Sequence, residues 1–483
     1  MDKRVNIIGG GLAGSEAALQ LAKRGVAVNL IEMRPRVQTP VHHGGGLAEL
    51  VCSNSLKSLK PDKPAGMLKH ELAMLGSYLL GCALDAHVPA GGALAVDRNR
   101  FSEMVEELVE AQPLIHRVCA EATGICDGIV VCHREGEEDE LRLPGDAVII
   151  ATGPLTSDAL AHFMQKLTGK DHMAFYDAAA PIVMADSLDM NILFRQSRYD
   201  DSGEGDYLNA PMDKGEYTRF IGELLQAKRV IAREFESKDL FSACQPVEEI
   251  ARNGFDAPRH GMMKPVGLTD PRTDRRPYAA VQLRAEDAHG SCYNLVGFQT
   301  NLTFPEQQRV FRLIPGLERA EFARYGVMHR NTFIDAPQLL DAHLRLKGSA
   351  GNIYFAGQVS GTEGYCEAIM SGLYAALCAF GDLTGSELPL MPVTTSFGSL
   401  VNYATDPLTR DYQPMHVNFG VYPPLAVHIR NKGQRYQAFF KREHADMDAY
   451  AQDLNARGII GDDCQAMVSR LEQVTASCIT TGA

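Results

Sequence analysis

The chain lacks any Cys-x-x-Cys pair. Its eleven cysteines are scattered, which argues against a zinc knuckle or a dithiol redox motif. Their odd number and the size of the chain argue against disulfide staples. Most are expected as small buried hydrophobes, with one or two serving as nucleophiles, and no metal site is expected. Also missing is an apolar run of the roughly 18 residues that a membrane helix needs. The apolar stretch 5–12 is short, broken by glycine, and without the small-residue cleavage site of a signal peptide; a cytoplasmic protein with no membrane contact is expected. Positive charge is in deficit. The net charge of −13 opposes diffuse, charge-driven binding to nucleic acid, though a local basic face remains compatible with it. No internal repeat and no low-complexity tract occurs.

With 483 residues and 45% hydrophobic content, more than one hydrophobic centre is expected. Val5-Asn6-Ile7-Ile8 predicts a strand running into Gly9-Gly10-Gly11-Leu12-Ala13-Gly14. A helix follows over 15–24, stopped by Gly25, and a second strand over 26–31 ends at Glu32. In this βαβ context the Gly-x-Gly-x-x-Gly turn points to a dinucleotide. Gly9 permits the tight turn, Gly11 the approach of a pyrophosphate, and Gly14 the packing of helix on strand. The helix start offers free N–H groups to the phosphates. Glu32 would accept from ribose hydroxyls and repel a 2′-phosphate, which favours FAD or NAD over NADP.

Two later segments favour FAD. Asp146-Ala147-Val148-Ile149-Ile150-Ala151-Thr152-Gly153 looks like a second dinucleotide strand, and Asn352-Ile353-Tyr354-Phe355-Ala356-Gly357-Gln358 like the strand passing the flavin and ribityl chain. Gly364-Tyr365 then opens a helix whose N–H groups suit the flavin pyrimidine oxygen, and Tyr365 either stacks on the isoalloxazine or packs the helix start. The expected fold class is α/β: a Rossmann-type FAD-binding domain with an inserted α+β domain. The expected boundaries are 1–172 and 326–430 for the two parts of the FAD-binding domain, 173–325 for the insertion, and 431–483 for a helical tail. Residues 35–64 read as an irregular, functional loop. Further helices are predicted over 67–76, 98–111, 217–230, 305–312 and 367–380, and strands over 129–133, 147–151 and 352–357.

The blocks Glu32-Met33-Arg34-Pro35, Ala48-Glu49-Leu50-Val51-Cys52-Ser53-Asn54-Ser55, Tyr293-Asn294-Leu295-Val296-Gly297-Phe298-Gln299-Thr300 and Tyr325-Gly326-Val327-Met328-His329-Arg330-Asn331-Thr332 follow the glycine turn in order. Together they resemble the TrmFO family, the folate- and FAD-dependent tRNA (uracil-5-)-methyltransferases, over the chain up to about Arg442. The looser relative is the GidA/MnmG family. The resemblance implies a GidA-like fold with FAD as cofactor, 5,10-methylenetetrahydrofolate as carbon donor, and NADPH or NADH as reductant. It also implies tRNA as the macromolecular partner, tetrahydrofolate as a product, and no stable protein partner. Cys52 and Cys244 match the two family cysteines. Cys244 is expected to add to C6 of the T-loop uridine, because a thiolate is nucleophilic near neutral pH; Cys52 is expected as a second thiol near the flavin. Gly9 through Gly14, Glu32, Met33, Arg34, Ala151, Thr152, Gly153, Gly357, Gln358, Gly364 and Tyr365 would hold the cofactor. His42, His43 and His329 are either proton carriers or structural. Arg259, Lys264, Arg272, Arg275, Arg276, Arg284, Arg330, Arg430, Lys432, Arg435, Lys441 and Arg442 form either a phosphate-binding face or ordinary surface charge paired with Asp270 and Asp274. Three other readings remain: the same chemistry on a ribosomal RNA uridine, a GidA-like subunit of a wobble-uridine modification complex, and a flavin oxidoreductase without RNA.

Overall fold

The computed structural model describes residues 3–39, 41–42, 44–137, 139–169, 173–198, 205–231, 245–349, 352–386, 388–410, 412–461 and 464–480. Cys244, His43 and most of the acidic loop 200–206 lie outside the described residues, as do the side chains of His329 and Arg330.

Five parallel strands build the first sheet, in the order Ile353–Phe355, Ala147–Ile150, Arg4–Ile8, Ala27–Glu32, Ile115–Cys119. Their inner residues are buried without alternation, as in Val5, Ile7 and Ile8 or Val28, Leu30 and Ile31, which is the pattern of a parallel sheet covered on both faces. The helix Leu12–Lys23 packs along the helix Tyr365–Thr384. Gly372 makes this possible: a Cβ there would lie 2.1 Å from the Ala13 carbonyl oxygen. Tyr365–Thr384 is, among the described residues, the one helix long and apolar enough to cross a bilayer. Here it is a core helix, buried over most of its length.

Between the strands Ala147–Ile150 and Ile353–Phe355 the chain forms a second body. It leaves along Met173–Ala178 and returns along Met328–Phe333, paired antiparallel. The strands Phe194–Arg195, Tyr207–Met212, Ala279–Ala285, Cys292–Leu295, Ile182–Met184 and Phe322–Arg324 form an antiparallel sheet in that order. The helices Lys214–Gln226 and Phe304–Phe311 share its core. Asp213 and Glu216 close a capping box at the start of the first of these. The core of this body, from Val183 to Ala320 and including Tyr217, Phe220, Phe298 and Phe311, is separate from the main one.

Two regions differ from the sequence-based expectation. Within 35–64 the chain forms a strand, Ser55–Ser58, which pairs with Ala93–Val96. Its register shifts between Ser55 and Ser58, and Lys57 sits at φ 66°. A strand so interrupted has no period of two to read. The second region is the tail. The helices Lys432–Ala456 and Cys464–Thr480 pack against Pro64–Met74, and Met447, Tyr450, Leu454 and Leu471 join the same core as Val5 and Ile7.

One buried contact ties down the first of those C-terminal helices. Glu71 accepts the Phe397 N–H at 3.0 Å as well as that of Ser396, and is hydrogen-bonded to Glu443. Burial first, then Glu443, holds the Glu71 carboxyl well above the usual range. Burial pushes the Glu443 carboxyl up to about 7. The rings of His70 and His444 stack beside them, 3.9 Å apart, and Asp446 and Asp448 add negative charge. A raised folded-state value means that the stability this proton confers is complete below 4.5 and is lost as pH rises through about 7. We therefore expect this contribution to unfolding stability to fall between pH 4.5 and about pH 7 by on the order of 2–3 kcal/mol and to be flat above that. Glu443→Gln should flatten that dependence in calorimetry; equal slopes in the two proteins would refute the assignment.

Candidate cofactor and active site

The ends of the central strands, the glycine turn and the start of Tyr365–Thr384 enclose a cavity of about 440 Å³. Its walls bring together Gly9, Gly11, Leu12 and Ala13 from the turn, Glu32, Met33 and Arg34 from the second strand, and Ala151, Thr152 and Gly153 from the third segment. Gly357, Gln358, Gly364 and Tyr365 close it from the late segment, and Cys52 and His42 from the 35–64 region. Gly10 and Gly14 stand behind the wall.

The three glycines differ in what they permit. Gly9 has φ 106°, and a Cβ there would lie 2.5 Å from the Ala151 oxygen. A Cβ on Gly14 would lie 1.8 Å from the Gly9 oxygen, so this residue serves packing. A Cβ on Gly11 would meet nothing within 4 Å; it would project into space that the protein leaves open. The first bond of the helix runs from the Ser15 N–H to the Gly11 oxygen at 2.9 Å, so the helix leaves the N–H groups of Leu12, Ala13 and Gly14 for an anion. No acidic residue occupies the first turn.

Glu32 is held in place by its neighbours. One oxygen accepts the Gly10 N–H at 2.8 Å, and the other accepts the Arg34 N–H and Nε–H, each at 3.0 Å. Burial alone would raise its carboxyl, but Arg34 and these bonds bring it below the usual range. A carboxylate has about four acceptor positions; the three bonds leave one for a ribose hydroxyl. Arg34 is itself buried and also pairs with Glu49 at 3.0 Å. On the opposite wall, Gln358 has a buried Nε2 without a protein partner. The open space at Gly11, the acid-tipped strand and this unspent amide donor fit a flavin dinucleotide.

The role of Tyr365 was only half visible in the sequence. Its hydroxyl oxygen accepts the N–H of Cys52 at 2.9 Å and that of Ser53 at 3.1 Å. Burial first, and the neighbouring Cys52 second, hold its phenol well above the ordinary value, so it is a neutral hydroxyl at neutral pH. It thereby fastens the Cys52 turn to the start of the helix. Arg98 supports the same turn from behind, donating to the Leu50 oxygen at 2.6 Å while pairing with Glu286 of the second body. Arg98 carried no sequence signal beyond helix propensity, since it sits in the first turn after the Asp97 cap. Lys57, another residue not singled out, lines the cavity and pairs with Glu367 at 3.3 Å.

His42 Nδ1 lies 2.6 Å from the Thr39 hydroxyl, and burial, then Arg34, pushes the ring down to about 4. It is neutral near pH 7 and does not act there as an imidazolium acid. Several arginines of the supposed basic face are spent internally. Arg284 is buried and donates to Asn54 Oδ1 at 2.7 Å. Arg259 lies over the Tyr278 ring at 4.0 Å, Arg272 pairs with Asp270 at 2.8 Å, and Arg442 bonds the carbonyls of Pro423 and Pro424. Arg275, Arg276, Arg430, Lys432 and Lys441 are exposed.

A parallel sheet with this turn, helix start and acid-tipped strand defines a dinucleotide-binding protein of the GidA type. The family model described as glucose inhibited division protein A matches residues 4–387. Aquifex aeolicus GidA superposes with a TM-score of 0.69 at 16% identity, covering 98% of this chain and 76% of that one. Proteins named methylenetetrahydrofolate--tRNA-(uracil-5-)-methyltransferase TrmFO are far closer in sequence. That of Geobacter sulfurreducens is 50% identical over 436 residues, covering 90% of this chain and 96% of its own length. That of Bacillus licheniformis is 48% identical over 442 residues, covering 92% and 97%. The chain belongs to the TrmFO family.

The two glycines should separate on substitution. Gly11→Val is expected to keep the apoprotein's melting temperature within a few degrees while abolishing flavin retention, read at 450 nm. Gly14→Ala is expected to destabilise the fold itself by on the order of 3 kcal/mol, because backbone must move. A yellow Gly11→Val protein would overturn this reading of the turn.

Proposed function

We propose that this chain methylates C5 of the T-loop uridine in tRNA, with 5,10-methylenetetrahydrofolate as carbon donor, FAD in the cavity and NADPH or NADH as reductant. One observation carries the reading: a cysteine turn pinned by Tyr365 lies on the wall of a cavity whose other walls suit a dinucleotide. Family membership supports it. The cytoplasm, where tRNA is matured, is the compartment we assign.

The bound flavin supplies the redox chemistry that takes the transferred carbon to a methyl group. The chain's own residues do the rest. The glycine turn and helix start hold the pyrophosphate against bare N–H groups. Glu32, fixed by Gly10 and Arg34, takes the adenosine ribose. Uracil C5 is a poor nucleophile until a group adds at C6; the Cys244 thiolate makes that addition and leaves when the double bond reforms. Cys52 is the second thiol, set beside the cavity to handle the proton lost from C5.

Purified FAD-loaded protein given methylenetetrahydrofolate, NADPH and unmodified tRNA should form 5-methyluridine. Cys244→Ala should stay yellow, lose activity by at least about 10³-fold, and fail to bond covalently to 5-fluorouracil-containing tRNA. An undiminished adduct refutes the role of Cys244. Loss of 5-methyluridine from ribosomal RNA alone in a deletion strain moves the target there. NADPH oxidation without RNA binding leaves a plain oxidoreductase.

A further inference from the structure

On the second body, three aromatic rings stack in a way that its core does not require. Tyr325 stacks on Phe322 at 5.2 Å and 12°, and on Phe304 at 4.6 Å and 16°. Phe322 packs against the buried core of that body. Phe304, at the start of its helix, is 47% exposed. Within the described residues no second ring or cation covers it. An exposed phenyl ring held parallel to a supporting ring is a preformed stacking surface, because its orientation is already fixed.

The position of the stack gives it a use. Arg324, between Phe322 and Tyr325 in sequence, donates to the Val41 oxygen beside His42 at the cavity wall. Arg324 thus ties the strand that carries Phe322 to the rim of the cofactor cavity. At its outer end, Thr303 N–H bonds the Lys228 oxygen at 3.0 Å. This sets the backbone of Lys228, which is exposed and has no ion pair among the described residues, against the residue that precedes Phe304. Val230, two residues on, is 62% exposed. A flat ring and a free lysine on adjoining segments match an unpaired nucleobase and its phosphate.

We propose that Phe304, backed by Tyr325 and Phe322, stacks on an unpaired nucleobase of the RNA substrate while Lys228 meets an adjacent phosphate. This rests on the reading of the chain as an RNA-modifying enzyme and locates part of the RNA on it. Arg309 and Glu306 lie on the same helix as Phe304, and Arg309 is already spent on Glu306 and on Glu223 of the helix Lys214–Gln226.

The test uses the full-length FAD-loaded protein and an unmodified tRNA transcript. Phe304→Ala should raise both the Kd for tRNA, by filter binding, and its KM about tenfold, equivalent to ~1.4 kcal/mol and within the range of base stacking. The KM values for methylenetetrahydrofolate and NADPH, and the flavin content, should not move. Phe304→Trp should restore tRNA affinity. Lys228→Gln should lower the slope of log Kd against log salt by about one. Unchanged tRNA affinity in Phe304→Ala overturns the proposal. So does a rise confined to the KM of the folate or the nicotinamide, which would give the ring to a small molecule. A wild-type protein that binds tRNA through Phe304 yet forms no 5-methyluridine would instead defeat the proposed reaction and leave the stacking surface standing.

Discussion

The close approach of backbone to backbone around the glycine turn is the constraint on which the molecule depends. Gly14 lets the first helix close on the Gly9 carbonyl, Gly9 lets the turn meet Ala151, and Gly372 lets the helix Tyr365–Thr384 meet Ala13. The last two of these contacts draw segments more than 100 residues apart in sequence into one wall. Each replaces side-chain packing by a contact with no room for a methyl group, so none can be relaxed by repacking neighbours. The cavity is what remains where this packing stops, at Gly11.

A second consequence follows for the acid at the end of the second strand. A carboxylate buried this deeply would favour its neutral form. Arg34 and the Gly10 N–H reverse that, so the charge at the end of this strand is maintained by its two protein partners. The charge of Glu32 therefore depends on Arg34 and Gly10.

The parts legible in the sequence were those governed by local rules. The strand Ile129–His133 and the helix starting at Arg98 fell where period and capping put them. The glycine-turn residues that line the cavity were readable because glycine spacing reports backbone geometry directly. What depended on distant partners was not readable. Nothing near Tyr365 announces that its hydroxyl receives two N–H groups from residues more than 300 positions earlier. Arg284 read as surface charge because composition cannot reveal that Asn54 receives it in a buried site. The C-terminal helices read as a tail because their apolar residues match a groove assembled from other segments.

The joint between the two bodies is polar where it meets the Cys52 turn. Arg98 pairs with Glu286, Arg284 with Asn54, and Arg324 with the Val41 oxygen, all with little exposure to solvent. Burial first, and then Arg98, draws Arg324 below its ordinary value, while Glu286 is paired with Arg98. Such groups contribute little net stability, because desolvation offsets their attraction. They do impose direction, since each bond is satisfied at one relative placement of the bodies. Asn54 follows Cys52 by two residues and bonds both Val96 and Ala285. The placement of the second body and the shape of the cysteine turn are therefore set by the same few hydrogen bonds. A joint of apolar residues would have held the bodies more tightly but would have allowed them to slide, and the turn with them.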